Sequence, residues 1–251
     1  MLNLLRSLLH FFVENWHDLA RMQAKTAHGC LVMSRPVTAG GKLDDAALLA
    51  ALEQEIDAFW RSVPFHTLFL NYQMPIQNSA YGGTCSDRAV LFLARLENKF
   101  GARLKPRLHR CRINGRETHT VILISLGAGD YLIDVGSNWP VMHPIPCFEP
   151  SAFTAFGIAF RAAPTGKELH VEMKRPEQPE FRPFLSADLT PQPRAQVVAA
   201  IADRYDPRND LPFKGKLRFS CIYGDAFYVL RDDGFCSGNA ECSDLWKEYR
   251  G

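Results

Sequence analysis

The sequence has no apolar run long enough to cross a bilayer, no Cys-x-x-Cys pair, no internal repeat and no low-complexity tract. Each absence removes a class. A spanning helix needs about 20 predominantly apolar residues. The amino-terminal stretch from Leu2 to Val13 is broken by Asn3, Arg6, Ser7 and His10 and has no small-residue cleavage site after it, so it reads as neither a signal peptide nor a membrane span. Seven cysteines at 30, 85, 111, 147, 221, 236 and 242 are odd in number and irregularly spaced. That argues for free thiols in a reducing cytoplasm rather than a disulfide framework. Cys236 and Cys242 lack the second close pair or histidine couple of a structural zinc site. One-sided charge is also missing. Lys and Arg total 29 against 27 for Asp and Glu, a net charge of +2, and the basic residues are scattered. No electrostatic footprint for nucleic acid results.

What remains is a chain of 251 residues, 47% apolar and 22% charged, sufficient for a self-supporting core in one or two domains. Leu2, Leu5, Leu9, Phe12, Val13, Trp16 and Leu19 recur at helical spacing, a stripe expected to pack on the protein's own core. Residues 34–42 are rich in breakers. Asp44 or Asp45 then caps a predicted helix through Leu48, Leu52, Ile56, Phe59 and Trp60 that stops before Pro64. After Gly82-Gly83, Cys85 to Phe100 reads as a helix ended by Gly101. The period then shortens. Arg107 to Ile113, Thr118 to Leu126 and Tyr131 to Val135 read as three antiparallel strands, divided by the hairpin dipeptide Asn114-Gly115 and by residues 127–130. Residues 161–183, rich in Pro, Glu, Lys and Arg, are expected to hold edge strands and loops. A helix through Val197, Val198, Ile201 and Tyr205 and a hairpin around Gly224-Asp225 follow, and the last fifteen residues carry no pattern.

One cysteine stands where a nucleophile is useful. Cys85 follows Tyr81-Gly82-Gly83-Thr84 and opens a helix, where unpaired N–H groups and the macrodipole favour a thiolate. His119 interrupts an otherwise apolar and β-branched strand and is the candidate base; His109, on the preceding strand, competes with it. Register selects a third member. If Gly127-Ala128 form a two-residue turn, Leu126 faces Gly129 and Asp134 stands opposite Val121, on the face of His119. The carboxylate is then a diagonal neighbour of the histidine, about 7–8 Å away along the backbone and within side-chain reach. Asp134 would orient the imidazole, His119 would take the thiol proton, and Cys85 would carry an acyl group as a thioester. A lone cysteine is ordinarily a small core residue, and a strand-end aspartate is ordinarily a turn cap. It is the three together that point to chemistry.

Gly82-Gly83-Thr84-Cys85, the strand from Thr118 to Leu123, and Tyr131-Leu132-Ile133-Asp134-Val135-Gly136 resemble, in order and spacing, the three catalytic segments of the arylamine N-acetyltransferase family. Val63-Pro64-Phe65-His66-Thr67-Leu68 is similar to the family's Pro-Phe segment, whose phenylalanine lines the acyl pocket. The resemblance spans roughly residues 43–230. It implies an α+β fold: a helical bundle carrying the nucleophile (1–101), an antiparallel β-barrel-like middle (102–190) and an α/β lid (191–251). It also implies catalytic roles for Cys85, His119 and Asp134, and substrate contacts from Phe65, Thr84, Gly136 and Ser137. Several positions depart from the family pattern. Tyr81 replaces the usual Arg, Asp87 the usual Glu and Ala89 the usual Asn, and Ser137 stands where an aromatic commonly follows Asp-Val-Gly.

The expectation is therefore an acyltransferase working by ping-pong transfer, with an acyl-CoA or a carrier-protein pantetheine thioester as co-substrate and a small-molecule amine as acceptor. Three alternatives remain open. One is an amide synthase of natural-product biosynthesis that releases or cyclises a polyketide or peptide from an acyl carrier protein, with Ser137 making room for a longer chain. The second is an inactive member that keeps the fold. The third is a cysteine hydrolase, if water reaches the acyl-enzyme. No nucleic-acid, membrane, metal or permanently bound cofactor role is expected.

Overall fold

The computed structural model describes residues 44–72, 82–204, 206, 208–209, 213–232, 234–239 and 247–250. The amino-terminal apolar stripe, Tyr81, Cys30 and Cys242 lie outside the described residues.

Apolar side chains at every third or fourth position make α1, Asp45–Ser62, amphipathic, and Leu48, Leu52, Ile56, Phe59 and Trp60 are the five it buries. The Val63 N–H still reaches the Phe59 carbonyl at 2.8 Å, and Pro64, without an N–H, ends the run. Its start differs from expectation. Asp44 holds the N-cap position but makes no side-chain cap bond. Asp45 instead accepts the Gly127 N–H at 2.8 Å, so this carboxylate clasps a distant strand turn rather than its own helix.

A two-residue strand β1 (Phe65–His66) and a short helix α2 (Leu68–Tyr72) follow, then α3 (Cys85–Phe100). Gly101, at φ +57°, takes the left-handed conformation that stops α3. Strands β2 (Arg107–Ile113), β3 (Arg116–Leu126), β4 (Gly129–Ile133), β5 (Ile145–Pro146), β6 (Ser151–Ala155), β7 (Ile158–Thr165), β8 (Glu168–Lys174) and β9 (Arg182–Asp188) form an antiparallel sheet in the order β5-β4-β3-β2-β9-β8-β7-β6. Asn114 and Gly115 both have positive φ, the turn that this dipeptide favours. After α4 (Arg194–Asp203), strands β10 (Arg218–Tyr223), β11 (Ala226–Arg231), β12 (Gly234–Asn239) and β13 (Lys247–Arg250) extend β1 into a five-stranded sheet, β1-β10-β11-β12-β13. The architecture is α+β. No helix among the described residues is long and apolar enough to cross a membrane.

Residues 161–183 are more regular than their composition suggests. β8 lies between β7 and β9 rather than at an edge. Leu169 and Val171 are buried while Glu168, His170 and Glu172 alternate with them on the wetter face, so residues 168–172 read as a regular strand. High polarity marks a wet face here, not a loop. The carboxy-terminal residues likewise supply β12 and β13 despite their patternless sequence.

The core is one continuous apolar cluster spanning α1, α3 and strands of both sheets. Phe227 of β11 joins its parts, with its ring 6.0 Å from Trp60, 6.2 Å from Trp139 and 6.0 Å from Phe156. Gly82 is the tightest backbone passage: its φ is +88°, and a Cβ there would lie 2.0 Å from the Pro64 carbonyl oxygen. Gly82→Ala should therefore lower unfolding free energy by about 2 kcal/mol or more. Gly224→Ala, at φ +56° with open space around it, should cost only about 1 kcal/mol; urea denaturation of both variants measures the difference.

Candidate active site

Helix α3 is anchored from its first residue. Gly83 donates to the Pro64 carbonyl at 3.3 Å and accepts from the His66 N–H at 2.9 Å, which pins the loop against β1. Thr84 is the N-cap. Its backbone N–H and its hydroxyl both donate to Oδ2 of Asp87, at 2.7 and 2.9 Å. The acid three residues into the helix thus holds the helix start, as in a capping box. Ser86 Oγ and Thr120 Oγ1 lie 3.0 Å apart and tie the helix start to β3. Cys85, the first residue of α3, is 3% exposed.

The partners arrive from the sheet. Ile122 pairs with Ile133 and Leu126 with Gly129, the register expected from a Gly127-Ala128 turn. Just past β4, Asp134 is fully buried, and its Oδ1 accepts from His119 Nε2 at 2.9 Å, from the Gly136 N–H at 3.0 Å and from the Ser137 N–H at 2.9 Å. With Nε2 committed, Nδ1 is the nitrogen left to meet the Cys85 thiol, whose own Sγ lies 3.6 Å from the Thr118 carbonyl oxygen. The backbone also closes in: a Cβ on Gly136 would lie 2.8 Å from the Cys85 carbonyl oxygen and 2.9 Å from its Cα and Cβ. His109, the competing histidine, places Nε2 2.6 Å from the Asp188 carbonyl oxygen, and burial pushes its pKa down.

Electrostatics distinguish Cys85 from the other described buried thiols. Burial alone would raise its pKa; the Arg204 charge, the His119 charge and the His119 hydrogen bond outweigh it and bring the thiol down to about 6. Burial would likewise lower the His119 pKa, but Asp134 and the Cys85 thiolate push it up to about 10. The pair at neutral pH is thiolate and imidazolium. Burial instead raises Cys111 well above the ordinary thiol range and pushes Cys147 and Cys221 up to about 12.

Cys85 and His119 open onto a cavity of about 410 Å³ that Phe65, Gly136 and Ser137 also line. Thr84, fully buried, is occupied with Asp87. No group of three or more His, Cys, Asp or Glu side chains fit to hold a metal ion occurs among the described residues. Two arginines were missed by the sequence reading. Arg88 is fully buried, with its guanidinium 3.9 Å from the Trp60 ring centroid and Nη1 3.4 Å from the Ser137 carbonyl. Arg204, 4% exposed, lines the cavity and donates to the Thr118 carbonyl. Both lay on legible stripes: Arg88 is four residues before buried Phe92, and Arg204 is seven after buried Val197. Val198, assigned to the same stripe, is 48% exposed.

No family model matches the chain, and neither does any curated protein. Solved structures do. The Mycobacterium smegmatis arylamine N-acetyltransferase is 20% identical, with a TM-score of 0.66 over 81% of this chain and 80% of that one. The Salmonella typhimurium enzyme is 17% identical, with a TM-score of 0.65 over 81% of this chain and 78% of that one. The Mycobacterium marinum enzyme, solved in complex with CoA, is 15% identical, with a TM-score of 0.66 over 81% and 80%. The chain has the fold of the arylamine N-acetyltransferases.

Proposed function

We propose that this protein is an N-acyltransferase in which Cys85, His119 and Asp134 act as a catalytic triad, passing an acyl group from a CoA-type thioester to an amine. The observation that carries this reading is the buried hydrogen bond between His119 and Asp134, with His119 on the same cavity wall as the helix-opening Cys85 thiol. The CoA bound by the Mycobacterium marinum relative supports the donor class.

In this reading the Cys85 thiolate attacks the thioester carbonyl, and the carbon–sulfur bond to the donor breaks. The departing thiolate takes the proton that His119 holds at Nδ1, leaving a neutral imidazole and an acyl-Cys85. An amine then attacks the acyl carbon and gives a proton to His119; collapse forms the amide and restores the thiolate and imidazolium pair. Asp134 keeps the proton on Nε2 throughout, so the nitrogen facing sulfur is free to exchange its own. The Cys85 backbone N–H, at the first helical position with no acceptor within its own helix, is the donor left to meet the tetrahedral oxyanion. Phe65, Arg204, Phe213 and Lys216 wall the same cavity.

Three outcomes are expected. Iodoacetamide labelling of Cys85 should rise through about pH 6 and then level off, because the depressed thiol pKa makes the thiolate available above that pH. His119→Ala should move the rise above the ordinary thiol value of about 8.5, since burial then acts with less opposition; a profile unmoved by that substitution would exclude the pairing. Incubation with acetyl-CoA should add one acetyl group to the intact mass, and Cys85→Ser should abolish it. Asp134→Asn should slow transfer to an amine by about 10³–10⁴-fold while leaving the fold in place. No Cys85-dependent mass gain from any acyl thioester would overturn the proposed function.

A further inference from the structure

The cavity beside Cys85 is one-sided in charge. Arg116, Arg204 and Lys216 line it, and no Asp or Glu does among the described residues. Arg116 and Lys216 are exposed, and exposed cations are ordinary. Arg204 is not ordinary: it is 96% buried, its Nε has no hydrogen-bond partner, and no ion pair to a described carboxylate holds it. Its Nη1 donates to the Thr118 carbonyl oxygen at 2.5 Å, and Cys85 Sγ lies 3.6 Å from that same oxygen. The guanidinium nitrogen is therefore no more than about 6 Å from the sulfur. On its other side Arg204 borders a smaller cavity of about 260 Å³ with Arg110, Glu117 and Asp203. Neither carboxylate is bonded to Arg204.

An unpaired buried charge is costly, and here the nearest anion on the reactive side is the Cys85 thiolate itself. Acylation removes it. Once sulfur becomes a thioester, the proton of His119 has left with the donor thiol, and Arg204 keeps its charge with an orphaned Nε–H and no anion at the sulfur. A carboxylate one or two methylenes beyond the thioester carbonyl lies within about 4–6 Å of sulfur. That is the reach needed to restore the missing anion and to occupy the free N–H in a charge-assisted hydrogen bond.

We propose that Cys85 accepts a short acyl group carrying its own carboxylate, a dicarboxylic monothioester of the malonyl or succinyl kind, with Arg204 as its anchor. The proposal rests on the acyl-transfer reading and narrows its donor class. The transfer is balanced: sulfur of Cys85 replaces sulfur of the donor at the acyl carbon, the donor leaves as a free thiol with the His119 proton, and the distal carboxylate is a spectator.

The test uses N-acetylcysteamine thioesters, which carry no phosphate, so that the cavity cations are probed by the acyl group alone. Succinyl, butyryl and methyl-succinyl donors, the last with its distal carboxyl blocked as the methyl ester, are compared on the full chain by the rate of Cys85 mass gain at pH 8. Succinyl is expected to acylate about tenfold faster or more than either neutral donor, because only it supplies the anion. Arg204→Gln should bring the succinyl-to-butyryl ratio towards one. The ratio is the readout, since that substitution also raises the thiol pKa and slows every donor alike; Arg204→Lys should retain part of the preference. Equal rates on the native protein, or a preference that survives Arg204→Gln, overturn the carboxylate anchor and leave acyl transfer standing. A methyl-succinyl donor as fast as succinyl overturns it without any variant. No Cys85 adduct from any of the three donors overturns the carboxylate anchor, and the same result with acetyl-CoA overturns acyl transfer as well.

Discussion

The rest of the site depends on one oxygen atom. Oδ1 of Asp134 accepts three hydrogen bonds in a fully buried setting, one from His119 and two from the chain that follows it. The two backbone bonds curl residues 134–137 so that Gly136 and Ser137 turn back on the aspartate and Gly136 comes against Cys85. The third fixes which imidazole nitrogen faces the thiol. Asp134 Oδ2 already lacks a hydrogen-bond partner, so losing any bond to Oδ1 would leave still more of a buried group unsatisfied, a cost that favours a single arrangement. Orientation of His119, approach of Cys85 and shape of the cavity wall are consequences of the same anchor.

Much of this was legible because sheet parity is a strict constraint. Once Gly127-Ala128 form a two-residue turn, the faces of Val121, His119 and Asp134 follow from counting, and the observed pairing of Ile122 with Ile133 agrees. The helix from Cys85 to Phe100 was legible for a similar reason, since its apolar period and the glycines at both ends leave few alternatives. Composition was the poorer guide. It made residues 161–183 look irregular because it averages over two faces, of which only the one bearing Leu169 and Val171 is dry. Buried cations were harder still. Arg88 and Arg204 sit on apolar stripes, but their neighbours there, Trp60 and Thr118, come from elsewhere in the chain and no local pattern brings them together.

Charge within the site is arranged as two pairs of unequal permanence. His119 and Asp134 are held at 2.9 Å by geometry that no reaction step disturbs. Arg204 and the Cys85 sulfur meet only through the Thr118 carbonyl oxygen. The first pair is fixed by a direct bond, and the second is not. Burial opposes both ionised partners, Cys85 and His119, so each needs the other and a fixed neighbour to remain charged.

Asp45 gives the fold a feature of another kind. By accepting the Gly127 N–H it bonds the first turn of α1 to the tip of the β3–β4 hairpin, whose far end bears His119 and Asp134. A hairpin held at its tip resists sliding one strand past the other, and a slip of one residue would turn Asp134 to the opposite face of the sheet. A solvent-side carboxylate far from the thiol thus guards the parity on which the buried pair relies, so a lesion at the protein's surface can be read out in its interior as a loss of alignment rather than a loss of stability.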